Sequence, residues 1–143
     1  MRPAHRARQV ANALNTSTAL GLLVAKLGGA RLARGPEGLV LAHGYRLRVP
    51  TAPAFTLGNV VVMRAGPELL VRRPRLLGHE SRHATQYAFL LGPVMLVPYL
   101  CAAAWSWIRT GDPASRNVFE RRAGLADGGY RERPPRAMRS RRA

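Results

Sequence analysis

Five consecutive residues, His79-Glu80-Ser81-Arg82-His83, constrain what this chain can fold into more than any other stretch. Two imidazoles four residues apart lie on the same face of an α-helix, where both can reach a single metal ion. The glutamate between them then sits beside that ion, where it can activate a water. Pro74 fits the first turn of such a helix and Gly92-Pro93 fits its end, so the punctuation predicts a helix from about Pro74 to Leu91. Leu76, His79, His83, Gln86 and Leu90 share one face of it at i/i+3/i+4 spacing. The histidines therefore point where the core-facing leucines point.

A chain of 143 residues suggests one domain with a core of ordinary size, and 47% hydrophobic residues argues against wholesale disorder. The net charge of +16 would ordinarily suggest nucleic acid or an anionic membrane surface. Lys26 is the only lysine among the 23 basic residues, and alanine, glycine and proline are abundant. That bias is what GC-rich coding produces, and no groove-reading or aromatic pattern accompanies it. Solvated surface charge is the expectation, with no specific nucleic acid as partner. Cys101 is the single cysteine, so there is no intramolecular disulfide and no C-x-x-C site, and its apolar neighbours suggest a buried, inert thiol. Asn12, Asn15, Thr16, Ser17 and Thr18 interrupt the segment after the basic N-terminus, so no signal peptide is read and a cytoplasmic location is expected.

Taken in order, residues 1–9 read as a disordered basic tail and 10–130 as the single domain. Val10 to Ala30 is expected to be a helix ended by Gly28-Gly29. Leu39–Ala42 and the alternating Tyr45–Val49 are expected as short strands around His43-Gly44, with His43 in a surface turn. Phe55–Met63 is the strongest strand signal, rich in β-branched residues. The 25 residues from Ala84 to Ile108 carry no charge; Trp105 and Trp107 stand near their end and Arg109 follows directly. They are long enough for a bilayer, but Gly92-Pro93 and Pro98 divide them, which favours an apolar helical hairpin that is buried or lies against a membrane surface. Ala114–Leu125 reads as a last helix, and residues 131–143 as a second disordered basic tail. The sum is an α+β domain: an N-terminal helix, a short antiparallel sheet, the pentapeptide helix, the hairpin and a C-terminal helix.

Zinc in a hydrolytic site takes three protein ligands and keeps a fourth position for water. His79 and His83 supply two. Carboxylates after the pentapeptide are limited to Asp112, Glu120, Asp127 and Glu132. Asp112 lies in a turn and Glu132 in the tail, whereas Glu120 follows Phe119 in mid-helix, so an anchored helix can aim it inward. Glu120 is the expected third ligand and Asp127 the reserve. Glu80 would serve as general base, passing a proton to the leaving amine. Gln86 and Asn117 are candidates for hydrogen bonds that orient the ligands. Phe55, Thr56, Leu57, Gly58 and Asn59 could pair with an extended peptide or protein substrate. With four histidines and 143 positions, chance supplies such a pentapeptide in on the order of 4 in 1000 chains of this composition, so context must carry the assignment.

That context resembles a known family. His79-Glu80-x-x-His83-x-x-Gln86, followed by Asn117-Val118-Phe119-Glu120-Arg121-Arg122-Ala123, is similar to the small zincin-like metallopeptidase domains of bacteria. Residues 54–62 also look like the strand that precedes the active helix there. The resemblance covers roughly residues 54–130. It implies a small zincin-like fold, Zn2+ held by His79, His83 and Glu120, and Glu80 as catalytic base. Ser81 and Arg82 stand where zinc peptidases place a bulky apolar and an uncharged residue. Beside the hydrolase, a catalytically inactive zincin-like domain and a membrane-associated structural protein therefore stay open.

Overall fold

A computed structural model of the chain describes residues 1–136, so only the first part of the expected 131–143 tail falls within it. The first helix, α1, runs Pro3–Leu14 and the second, α2, runs Ser17–Leu27. The expected single helix from Val10 is corrected on two counts. Proline is pre-set for a first helical turn, so α1 begins at Pro3 and takes in most of the expected tail. The chain then breaks at Thr16, whose φ is 67°, and the Asn15 side chain accepts from the Ser17 backbone N–H at 3.1 Å across the break. Residues 1–9 are no free tail either. Arg8 is buried, and its guanidinium donates to Ser81 Oγ at 2.7 Å and to the Glu37 carbonyl at 2.7 Å.

The sheet contains β1 (Arg31–Arg34), β2 (Val40–His43), β3 (Ala54–Leu57) and β4 (Val60–Met63) in the order β1-β2-β4-β3. It is mixed rather than antiparallel, since β2 and β4 run parallel while β1/β2 and β3/β4 are antiparallel pairs. The run expected as one strand, Phe55–Met63, folds on itself. Leu57 pairs with Val60 across a two-residue turn, and Gly58 takes φ +59° there. A side chain at Gly58 would meet the backbone of Ser17 and Thr18, so this turn accepts only glycine. β4 is buried on both faces and is the spine of the sheet. Tyr45–Val49 forms no strand: Tyr45 turns inward against Gly28, and Arg46 N donates to the Gly28 carbonyl.

Alternation along β4 builds two cores. Val60 and Val62 pack with Ala25, Ala42 and Tyr45 on the α2 side. Val61 and Met63 pack with Leu69, Leu76 and Ala84 on the other. That second layer comprises α3 (Glu68–Arg72) and the pentapeptide helix α4 (Leu76–Phe89). After α4 the chain reverses at Leu91 and Gly92, both with positive φ, makes a 3-10 turn over Gly92–Met95 and enters α5 (Leu96–Thr110). The two helices are bent by 111° at this break, and among the described residues no single helix is long and apolar enough to cross a membrane. Cys101 is exposed rather than buried, because Ser106 and Thr110 mark the inward face of α5 and Cys101 falls off it. The last helix, α6, is shorter than expected, Val118–Ala123. Ser115 N is taken by Asp112 Oδ2 at 2.7 Å, which holds the preceding residues in a turn.

The burial of Arg8 gives a direct test. Arg8→Ala removes hydrogen bonds from a buried charged donor to two segments distant in sequence, and it should cost about 1.5–3 kcal/mol in urea unfolding with an unchanged slope. No loss of stability would show that the N-terminal residues are a free tail.

Candidate metal centre

The spacing that made the pentapeptide conspicuous acts through α4. His79 and His83 stand one turn apart, with Nε2 atoms 3.1 Å from each other. From α6, Glu120 brings Oε2 to 3.3 Å from His79 Nε2 and 3.5 Å from His83 Nε2. All three side chains are buried. The two helices are sutured beside them, since Gln86 Nε2 donates to the Phe119 carbonyl at 2.9 Å.

The hydrogen bonds on the far side of each ring decide what the near side offers. His79 Nδ1 lies 3.1 Å from the Ala123 carbonyl and 3.0 Å from that of Gly124, so this nitrogen must donate. With Gln86 Nε2 engaged as a donor, Gln86 Oε1 accepts from His83 Nδ1 at 2.9 Å. In its neutral form each ring therefore presents a bare Nε2. Tyr99 O–H donates to Glu120 Oε1, while Glu120 Oε2 is buried without a hydrogen-bond partner among the described residues. Three lone-pair acceptors thus face one another, which is unfavourable unless a cation lies among them.

The donor set fits a metal. Two imidazole nitrogens and one carboxylate oxygen are the usual protein ligands of a catalytic zinc, and tetrahedral bonds of ~2.0–2.1 Å place ligand atoms about 3.3 Å apart. The observed edges of 3.1, 3.3 and 3.5 Å bracket that value. The orphaned Glu120 Oε2 is the atom such an ion would satisfy.

Electrostatics agree with the need for positive charge. Burial alone would lower His79, but contact with Glu120 and the field of Glu80 outweigh it and raise the imidazole above its ordinary value. Burial alone would raise Glu120, yet its contacts with His79, His83 and Tyr99 hold it well below the usual carboxylate range. Glu80 differs: burial dominates and pushes it up, against the opposing charges of the histidines and a 2.7 Å hydrogen bond from Thr56 Oγ1 to its Oε2.

Of the residues singled out from sequence, His79, His83, Glu120, Glu80 and Gln86 come together. Asp127 is not a ligand: its carboxylate takes Arg82 at 2.9 Å and Arg75 at 4.0 Å. Asn117 makes no bond to the cluster, and instead caps α6 by accepting from Phe119 N at 3.0 Å. Phe55, Thr56 and Leu57 line a cavity of about 430 Å3 that also contains the three acceptors and Glu80. Gly58 and Asn59 turn away from it, the latter accepting from Asn12 Nδ2 at 3.1 Å. His43, at the end of β2, is remote from the cluster and half-buried among arginines.

Ser81 and Arg82, which do not fit the peptidase pattern, have structural partners. Ser81 Oγ meets Arg8 and Glu37, and Arg82 clasps Asp127 and the Ala123 carbonyl. Sequence reasoning did not find Tyr99, Tyr130 or Gly128. Tyr99 was findable, because a phenol within an uncharged run needs a polar partner. Tyr130 lies near His79, with ring centroids 6.0 Å apart. Gly128 passes so close that a Cβ there would sit 2.8 Å from His79 Nε2, and nothing local in the sequence signals that contact.

The competitor for these acceptors is a proton, and the sign of the pH effect follows. A raised His79 stabilises the metal-free fold fully below about pH 6.5, and that contribution is lost as pH rises through its raised value. Glu120, being lowered, keeps its contribution throughout this range and loses it only in strong acid. Zinc needs His79 without the proton. The gain in melting temperature from a fixed zinc concentration should therefore grow from near zero at about pH 5.5 to about 5–10 °C at about pH 8. A gain independent of pH would contradict this assignment.

No family model, curated protein or solved structure matches the chain, so the reading of its function rests on the geometry of this cluster.

Proposed function

We propose that the chain is a zinc-dependent metallopeptidase of zincin-like fold, with His79, His83 and Glu120 as ligands and Glu80 as the catalytic base. The observation that carries this reading is the convergence of three buried acceptors, one of them orphaned, within a cavity that Glu80 also lines. A bound zinc supplies a Lewis acid there, which acidifies water and polarises a carbonyl. Everything else falls to the chain's own groups.

Glu80 is held by Thr56 at one oxygen, which leaves Oε1 to take up a proton and deliver it to the leaving amine. Burial raises its affinity for that proton, making it a stronger base than an exposed glutamate. Tyr99 fixes Glu120 by its other oxygen, and the carbonyls of Ala123 and Gly124 hold the His79 ring in one orientation. β3 is the terminal strand of the described sheet and lines the cavity, so an extended peptide can lie along its edge. The mostly apolar walls, including Leu57, Tyr87 and Leu96, favour an apolar side chain near the scissile bond. Ser81 is engaged by Arg8 and Glu37, and Arg82 by Asp127 and the Ala123 carbonyl that also holds His79, so both serve the frame of the site without taking a ligand position, which supports turnover over an inactive metal-holding domain.

Glu80→Gln is the test. On an unfolded protein substrate such as casein, it should lower kcat/KM by about 10²–10⁴-fold, while bound zinc and melting temperature stay as in the wild type. Zinc retained with no difference in rate between wild type and variant would support the inactive domain instead.

A further inference from the structure

Helix α5 is inside out for a protein in water. Its hydroxyls face the protein: Tyr99 meets Glu120, Ser106 Oγ donates to the Asp112 carbonyl at 2.6 Å, and Thr110 Oγ1 donates to that of Ser106 at 2.8 Å. Its apolar residues face outward, with Val97, Leu100, Trp105, Trp107 and Ile108 all more than half exposed. Helix α2 continues the apolar surface, since Leu20 and Val24 pack in one cluster with Leu96 while Leu23 and Leu27 are more than half exposed. Exposed apolar surface of this extent marks a docking face.

Charge indicates what docks. The chain carries a net +16, so a second copy would bring like charge against like charge. Arg109 lies over the Trp105 ring at 5.4 Å, a pairing suited to the boundary between headgroups and acyl chains. At the C-terminal end of α2, Arg31, Arg46, Arg64 and His43 line a second cavity of about 350 Å3 that has no carboxylate among its described lining residues. Gly29 forms part of its wall, and Arg46 is tied to the Gly28 carbonyl, so this basic recess borders the apolar face. Helix α5 is 15 residues long, about 22 Å, and cannot span a hydrocarbon core of about 30 Å.

We propose that α2, α5 and the turn before α5 form a peripheral docking face for an anionic lipid bilayer, with the basic recess receiving lipid phosphate. The apolar side chains enter the interface while Lys26, Arg46 and Arg109 meet the headgroups. The proposal is independent of the metal site. Leu100 and Val49 are exposed and also line the catalytic cavity, so the docked cleft opens at the bilayer surface. Only the corollary that substrate arrives from that surface rests on the hydrolase reading.

Both tryptophans of the chain lie on this face, so tryptophan emission reports on it alone. The full chain is titrated with vesicles of phosphatidylcholine alone and with about 30% phosphatidylglycerol. Emission should shift to the blue with the anionic vesicles, with partitioning at least about tenfold weaker on neutral ones and weakened by about 0.5 M salt. Val97→Glu with Ile108→Glu, both exposed and away from the site, should reduce partitioning at least about tenfold. Glu80→Gln should bind like the wild type, which separates failure of docking from failure of the hydrolase reading. Three results would each overturn the proposal: no shift with anionic vesicles, equal binding to neutral ones, or an emission already blue without lipid because a second copy or another protein covers the face.

Discussion

Three acceptors, His79 Nε2, His83 Nε2 and Glu120 Oε2, lie within 3.5 Å of one another inside the protein, and the bonds on the far side of each residue prevent it from turning away. Burying such a group without a cation costs several kcal/mol. A fold that relied on packing alone would have no reason to assemble it. The interactions around α4 make sense as means of holding these acceptors in place: Gln86 to α6, the carbonyls of Ala123 and Gly124 to His79, Tyr99 to Glu120. Arg82 and Asp127 pin the loop whose Gly128 lies against His79.

The opposite side of α4 is held as firmly. Arg8 and Asn12 of α1 reach the Ser81 and Ala84 carbonyls, and Thr56 of β3 reaches Glu80. Site and scaffold therefore share bonds, and Glu80, the proposed general base, is anchored by the strand that lines the cleft. Residues that depart from the peptidase pattern serve this scaffold, so the pattern at Ser81 and Arg82 reflects what α1 and the 124–128 loop require.

How much was legible in the sequence depended on whether the controlling physics was local. The α4 helix and its two histidines could be read because i/i+4 spacing, Pro74 and Gly92 are local signals, and Glu120 because carboxylates are so few. The hairpin inside Phe55–Met63 was missed because β propensity alone does not say where a strand reverses, although Gly58-Asn59 carried the turn. Charge concealed α1: Arg8 is buried against carbonyls brought from 73 and 29 residues away, which composition cannot reveal. Asn117 was expected to orient the ligands by a hydrogen bond but is the cap of α6, a role that the helix boundary fixes. The inverted face of α5 defeats the rule that apolar runs are buried, and Cys101 was misplaced for the same reason.

The central claim is that the three acceptors hold one metal ion. Elemental analysis of protein purified without chelators tests it most directly, comparing wild type with a His79→Ala, His83→Ala, Glu120→Ala triple variant that is folded by circular dichroism. About one zinc per chain in the wild type and close to none in the variant is the expected result. A wild type free of metal, or equal zinc in both proteins, would contradict the assignment.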